Sequence, residues 1–110
     1  MSPAPADRLQ GTLDLLVLRA LRAEPLHGWL ISRRIRECSG DVLQVNQGSL
    51  YPALHRMERG GWLSSRWDTV ETGRRGKIYS LTAKGRRALV QEEQGWRDFV
   101  AAVTRVLQTA

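Results

Sequence analysis

Residues 46–61 read NQGSLYPALHRMERGG and carry the clearest structural pattern in the chain. Asn46 is of a type that caps helices, because its side chain accepts a hydrogen bond from a free amide of the first turn. Leu50, Leu54 and Met57 follow at helical spacing and predict a buried stripe. The two glycines at the end predict where the helix stops. The stretch is therefore expected to form one short helix with a polar face left over.

Two further helices are predicted before this stretch. Residues 9–23 place apolar side chains at steps of three and four, and Pro25 ends that helix because a proline disfavours the helical conformation of the residue before it. A second helix follows, and its inward stripe includes Cys38, which we interpret as a small buried hydrophobic side chain. Residues 1–8 are expected to form a flexible leader.

A β-hairpin and a long helix are predicted after the stretch. Residues 62–68 and 77–82 are strand-like and flank a turn with glycines and arginines, which is the pattern of a hairpin with a basic tip. Thr82 is the expected cap of the last helix. The fold class is thus mainly α with a small β-hairpin, a winged helix-turn-helix. We assign residues 9–82 to that DNA-binding domain and residues 83–110 to a C-terminal dimerisation helix.

Positive charge is concentrated in the middle of the chain. The formal net charge of +6 divides into +1 for residues 1–45, +6 for residues 46–90 and −1 for residues 91–110. Charge gathered on one helix and the following hairpin is the electrostatic footprint of a protein that binds a polyanion. We therefore expect double-stranded DNA as a partner.

Other functional classes find little support in the sequence. No apolar run reaches the roughly 18 residues that span a bilayer, and the N-terminus lacks the basic and apolar segments of a secretory signal. One cysteine and two histidines give no metal-site spacing. The sequence shows neither a nucleophile paired with a base nor a phosphate-binding loop, so it gives no indication of catalysis. We expect a cytoplasmic protein that is not an enzyme and needs no cofactor, metal or membrane.

Polar side chains of the third helix are the expected readers of DNA. In a helix-turn-helix, the second helix of the motif lies in the major groove with its N-terminal residues at the base edges. Cations at the hairpin tip would hold phosphates. A merely solvated polar face is the competing interpretation, but three wing cations beside a polar helix are hard to explain by solubility. The candidate DNA-binding residues are Gln47, Gly48, Ser49, Tyr51, Pro52, His55, Arg56, Arg74, Arg75 and Lys77, with Arg33 or Arg34 as further phosphate contacts.

Two of the predicted helices carry more apolar surface than one small domain needs. Leu15 and Leu18 lie off the main stripe of the first helix, and the last helix repeats apolar residues at sevenfold spacing. Both features predict a partner chain, with aromatic residues in the core of the interface. The candidate interface residues are Leu15, Leu18, Leu89, Trp96, Phe99, Val100, Val103 and Leu107. The other tryptophans, Trp29, Trp62 and Trp67, are expected to pack in the core or on the hairpin.

The segments PLHGWLISRRI, GSLYPALHRMERGGW and GRRGKIYSLTAKGRRAL together resemble the PadR family of bacterial transcriptional regulators, over about residues 9–107. The resemblance implies dimeric winged-helix repressors that respond to small aromatic or multidrug-type ligands. It also implies that the last helix packs with the first helix of the partner. Gly76 and Ile78 depart from the basic and aromatic residues that are common in the family's wing. With one C-terminal helix, the chain resembles the short members.

The resemblance raises a specific question about Trp96. In some short relatives, tryptophans at the dimer centre line a pore that sandwiches flat ligands. Trp96 lies midway along the predicted dimerisation helix, so it is a candidate ligand contact for a small aromatic or hydrophobic compound. The alternative is that Trp96 simply anchors the interface.

Two classes of function are compatible with the predicted fold. The first is a homodimeric, sequence-specific DNA-binding regulator of a pseudo-palindromic operator, a repressor relieved by a small ligand. The second is a winged-helix protein-interaction or ligand-binding module without DNA recognition. An uncharged wing or an acidic third helix would indicate the second class, and the sequence has neither. RNA binding is less favoured, because stacking aromatics are not displayed in the usual pattern.

Overall fold

Within residues 5–69 and 75–110, which the computed structural model describes (side chains from residue 11 onward), the chain forms four helices and a three-stranded antiparallel sheet. This architecture confirms the predicted fold class. The elements are α1 (Pro5–Ala20), β1 (Leu26–His27), α2 (Gly28–Cys38), α3 (Gln47–Arg59), β2 (Leu63–Thr69), β3 (Arg75–Leu81) and α4 (Ala83–Thr109). None of these helices is both long enough and apolar enough to cross a membrane.

The first helix begins and ends earlier than predicted. α1 starts at Pro5, inside the expected leader of residues 1–8, and proline is well tolerated in a first turn because its missing amide would have no helical acceptor there. The helix ends at Ala20 and not at residue 23, since residues 21–24 form the turn and bend that lead to β1.

The sheet contains one strand that the sequence pattern did not predict. β1 is two residues long, and Leu26 pairs with Tyr79 while His27 pairs with Ile78. Two residues are too few to display an alternating pattern, so the pairing is visible only in the fold. The predicted hairpin is confirmed: β2 and β3 pair in register from Leu63 with Leu81 to Thr69 with Arg75.

A single hydrophobic core forms where α1, α2 and α3 meet the sheet. The predicted stripe of Leu50, Leu54 and Met57 is buried there. On α2, however, the prediction for Cys38 was wrong, because this residue is exposed. Cys38 is the last residue of α2, beyond the point where the inward stripe ends at Ile35.

Both predicted helix caps are confirmed. The side-chain oxygen of Asn46 accepts a hydrogen bond from the amide of Ser49 at 2.8 Å, and Thr82 Oγ1 accepts one from the amide of Gly85 at 3.0 Å. Gly85 is required for close packing, because a Cβ atom there would lie 2.1 Å from the carbonyl oxygen of Trp62. The start of α4 is thereby held against the start of β2.

Most of α4 extends away from the core. Its buried residues, Gly85, Ala88 and Leu89, all belong to the first turns. From residue 94 onward nearly every side chain is exposed. The helix makes the molecule elongated, with principal extents of 56 × 29 × 24 Å.

Candidate nucleic-acid interface

α3 presents an exposed polar surface on the side away from the core. The side chains of Gln47, Ser49 and His55 are exposed there, together with Gly48 and Pro52. The cap at Asn46 fixes the position of the first turn, so the exposed groups project from an ordered helix end. Five of the candidate DNA-binding residues thus lie on one accessible surface.

Tyr51 has a different environment from its neighbours. It is half-buried, and a Cβ atom at Gly28 would lie only 2.9 Å from its ring carbon Cε1. The tyrosine ring therefore packs against the start of α2, where glycine leaves room for it. This contact joins the two helices of the helix-turn-helix motif.

Arg56 is not a free DNA contact, and its assignment to the DNA surface is corrected. Its guanidinium donates two hydrogen bonds to the carboxylate of Asp14, with Nη1–Oδ2 at 2.9 Å and Nη2–Oδ1 at 2.6 Å. The hydrogen bond to Asp14 raises the pKa of Arg56. Asp14 is 7% exposed, and a carboxylate so deeply placed requires a paired cation. Arg56 therefore fastens α3 to α1.

Arg33 and Arg34 occupy different surroundings. Arg34 donates a hydrogen bond to Glu24 at 2.8 Å and another to the carbonyl oxygen of Ala20, so it links α2 to the end of α1. Its assignment as a phosphate contact is therefore corrected. Arg33 pairs with Glu37 at 2.8 Å on the exposed surface of α2, and this hydrogen bond lowers the pKa of Glu37. Exposed pairs of this kind are weak, so Arg33 remains able to meet a phosphate.

A groove of about 500 Å³ extends the polar surface from α3 onto α2. Its walls include Trp29 and Arg33 from α2, Gln44 from the connection, and Gln47, the first residue of α3. Trp29 is 47% exposed here, so its expected place in the core or on the hairpin was wrong. The groove makes the exposed side of α2 continuous with the first turn of α3.

The hairpin has one face that is apolar at its base and basic towards its tip. Leu63 and Tyr79 lie on this face and are buried in the core. Further along the same face come Trp67 and Lys77, which are paired across the strands, and then Arg75. We call these last three residues the wing cluster. The candidate residue Arg74 lies outside the described residues.

Two cations lie close to the indole of the wing cluster. Arg75 Cζ is 5.2 Å and Lys77 Nζ is 5.6 Å from the ring centroid of Trp67. Such distances are typical of cation–π contacts. Within the described part of the chain, no carboxylate lies within ion-pair distance of Arg75. Its charge is therefore available to an anion.

Glu58 connects the wing to α3, a role that sequence analysis missed. Ser65 Oγ donates to Glu58 Oε2, and Lys77 Nζ lies 3.8 Å from Glu58 Oε1. These partners are 7 and 19 positions away, on two different strands, so helical spacing gives no sign of them. Lys77 is thus shared between Glu58 and Trp67 and is less available to an anion than Arg75.

The candidate dimer residues divide into two groups. Trp96, Val100 and Val103 are each about two-fifths exposed on α4, and Leu107 is more exposed still. Phe99 is half-buried beside Trp96, with ring centroids 6.0 Å apart, and Leu15 is half-buried on α1. By contrast Leu18 and Leu89 are buried in the core of the single chain, which leaves them almost no surface for a partner and corrects their assignment.

Comparison with known proteins identifies the family. Residues 17–91 match the transcriptional regulator PadR-like family. A transcriptional regulator of Mycobacterium tuberculosis is 33% identical over 95 residues, which are 86% of this chain and 84% of that protein.

Solved structures agree with the sequence comparison. A PadR family transcriptional regulator of Eggerthella lenta superposes with a TM-score of 0.77 at 30% identity, over 96% of this chain and 90% of that one. A PadR-like transcriptional regulator of Bacillus cereus gives a TM-score of 0.76 at 26% identity, over 94% and 99% of the two chains. Members of the family are transcriptional regulators and not enzymes. The chain belongs to the PadR-like family of transcriptional regulators.

Proposed function

We propose that the protein is a homodimeric repressor that binds a pseudo-palindromic operator in double-stranded DNA and is released by a small ligand. The observation that carries the proposal is the exposed polar end of α3 beside a wing whose Arg75 has an available charge. A regulator of this kind acts where the chromosome is, and we place it in the cytoplasm.

The DNA contacts divide into two kinds. Gln47 and Ser49 are in the first turn of α3, the part of a recognition helix that meets base edges in the major groove. Glutamine pairs well with adenine, and serine pairs with any base. Arg75 and Arg33, from the wing and α2, supply phosphate contacts that carry no sequence information. We therefore assign preference between sequences to α3, and affinity to the wing and α2.

Dimerisation is supported by the exposed apolar stripe of α4. Trp96, Val100 and Val103 lie on one side of the helix, at a distance from the core. Contiguous exposed apolar surface of this kind marks an interaction site in most proteins. A two-fold dimer along α4 would present two α3 helices about 34 Å apart, which is one turn of the DNA duplex.

The ligand belongs at the same stripe. Trp96 is 42% exposed and lies beside Phe99, so two such pairs meeting at a dimer axis would offer stacking surfaces to a flat aromatic compound. The competing role for Trp96 is that of an interface anchor. Titration of the dimer with flat aromatic dyes separates the two roles: loss of binding in Trp96→Ala with the dimer intact indicates the ligand contact.

A matched pair of wing variants tests DNA binding. Arg75→Ala and Arg66→Ala each remove one positive charge from the hairpin, but Arg66 lies on the opposite face and pairs with Asp68 at 3.4 Å. We expect Arg75→Ala to weaken binding to the protein's own promoter fragment and to other DNA sequences by a similar factor. Arg66→Ala should have a much smaller effect. Fluorescence anisotropy between about 50 and 200 mM salt measures both affinity and salt slope. Absence of any salt-dependent binding by the wild type would refute the proposal.

A further inference from the structure

Trp67 is an exposed tryptophan on the hairpin face whose base is buried in the core. The pairing register puts it on the same side of the hairpin as Leu63 and Tyr79, both of which are buried. Trp67 lies nearer the tip, beyond the end of the core, and 58% of its surface is exposed. A large apolar side chain left open beside two cations suggests contact with another molecule.

The same face of the hairpin is held at a fixed distance from α3. Ser65 and Lys77 belong to this face, and both contact Glu58 near the C-terminal end of α3. Trp67 is directly paired with Lys77, so the indole lies next to the point where the wing meets α3. The wing cluster therefore lies beside the C-terminal end of α3.

We propose that Trp67 contacts the sugar–phosphate backbone of the DNA that α3 binds. The inference rests on the proposed function, since it requires α3 to lie in the major groove. With α3 there, the wing cluster lies beside the backbone that borders the groove. The apolar edge of a deoxyribose would pack on the indole, and Arg75 would bind the adjacent phosphate.

Charge complementarity favours DNA as the partner of the wing cluster. Arg75 and Lys77 both lie within cation–π distance of the ring, so the indole is bordered by positive charge. An apolar protein segment packed there would bury these charges without partners, which is unfavourable. A polyanion with an apolar sugar edge satisfies the cations and the indole together.

The test compares Trp67→Ala and Trp67→Phe with wild-type protein on the same promoter fragment. We expect Trp67→Ala to raise the Kd about tenfold, equivalent to ~1.4 kcal/mol. The salt slope should stay unchanged because no charge is lost, whereas Arg75→Ala should lower it by about one per phosphate contact removed. Trp67→Phe should retain most of the affinity. In the Arg75→Ala background, Trp67→Ala should still weaken binding.

The outcomes separate this inference from the proposed function. If wild-type protein binds and Trp67→Ala binds equally well, the inference is overturned while DNA binding stands. If Trp67→Ala has no effect in the Arg75→Ala background, the indole only positions Arg75 and the direct contact is wrong. If the wild type does not bind, both proposals fail.

A measurement on unmodified protein covers the case in which Trp67→Ala does not fold. Hydroxyl-radical labelling with mass spectrometry reports the oxidation rate of each side chain with and without the promoter fragment. We expect severalfold protection of Trp67 by DNA, and little protection of Arg66 on the opposite face. An unchanged oxidation rate at Trp67 in the DNA-bound protein would overturn the inference.

Discussion

At the residue scale, the pairing of Arg56 with Asp14 shows how a single contact changes the role assigned to a candidate DNA-binding residue. By sequence, Arg56 is one more cation on the polar face of α3. In the structure it neutralises a carboxylate that is 7% exposed on α1. The partner lies 42 positions away, and no local spacing indicates it. Exposed positions such as Gln47 and Ser49 were predictable because helical periodicity alone places them away from the core.

We expect Arg56→Ala to destabilise the fold by about 2–3 kcal/mol, because it leaves the Asp14 carboxylate buried without a partner. Urea unfolding measures the change. Arg59→Ala removes the same charge from an exposed position on the same helix and should change stability by less than about 0.5 kcal/mol. Equal effects of the two substitutions would show that the ion pair contributes little.

A second residue-scale prediction concerns Glu58, the acidic contact of Lys77. Glu58→Gln removes a negative charge beside the wing cluster and releases Lys77, while an amide oxygen can still accept from Ser65. We expect the Kd for DNA to fall by up to about fivefold, the range of a partly exposed ion pair. Anisotropy titrations at two salt concentrations provide the measurement. Weaker binding would instead mean that the ion pair is needed to hold the wing in place.

At the element scale, the long elements were predictable from sequence and the short one was not. α2, α3 and the hairpin have local periodicity and glycine-bearing turns, and α3 also has a side-chain cap at Asn46, so these elements follow from chemistry within a few residues. β1 exists only because two residues before α2 meet the open edge of β3. Its hydrogen-bonding partner is chosen by the tertiary fold, and short-range pattern gives no information on that choice.

Two glycines of α4 should respond in opposite ways to the same substitution. Gly85→Ala should destabilise the protein severely, because the new methyl group would lie 2.1 Å from the carbonyl oxygen of Trp62. Gly95→Ala should stabilise it by up to about 1 kcal/mol, since none of the described atoms of the chain lies within 4 Å of the added carbon. Thermal unfolding measures both. Destabilisation by Gly95→Ala would indicate that a partner helix approaches closely at that point.

At the scale of the whole molecule, the domain and the distal part of α4 have separate tasks. The core is closed by α1, α2, α3, the sheet and the first turns of α4. The apolar stripe beyond residue 94 adds nothing to that core and is proposed to hold two copies together. The sequence predicted the apolar stripe itself. It could not show that Leu18 and Leu89 are buried in the core of a single chain, because burial depends on how the helices are arranged.

We expect Val103→Glu to convert the proposed dimer into a folded monomer, because Val103 is 40% exposed and is not part of the core. Sedimentation velocity measures the assembly state, and circular dichroism confirms the fold. Ala101→Glu adds the same charge to α4 on the side away from the stripe and should leave the dimer intact. DNA affinity should fall steeply with Val103→Glu, since both half-sites must be engaged together. A wild-type protein that is monomeric at micromolar concentration would contradict the argument.

The projection of α4 beyond the core has an evolutionary consequence. Substitutions along its distal half leave the folding of the winged helix-turn-helix domain unaffected. Selection can therefore alter which chains pair through α4 without causing misfolding. If α4 holds two copies together as proposed, a duplicated gene could acquire its own dimerisation specificity through a few changes between residues 96 and 107, and the two regulators would avoid forming mixed dimers. Sequences should accordingly diverge fastest along the distal half of α4 and slowest around Leu50, Leu54 and Met57, where every substitution affects the packing of the core.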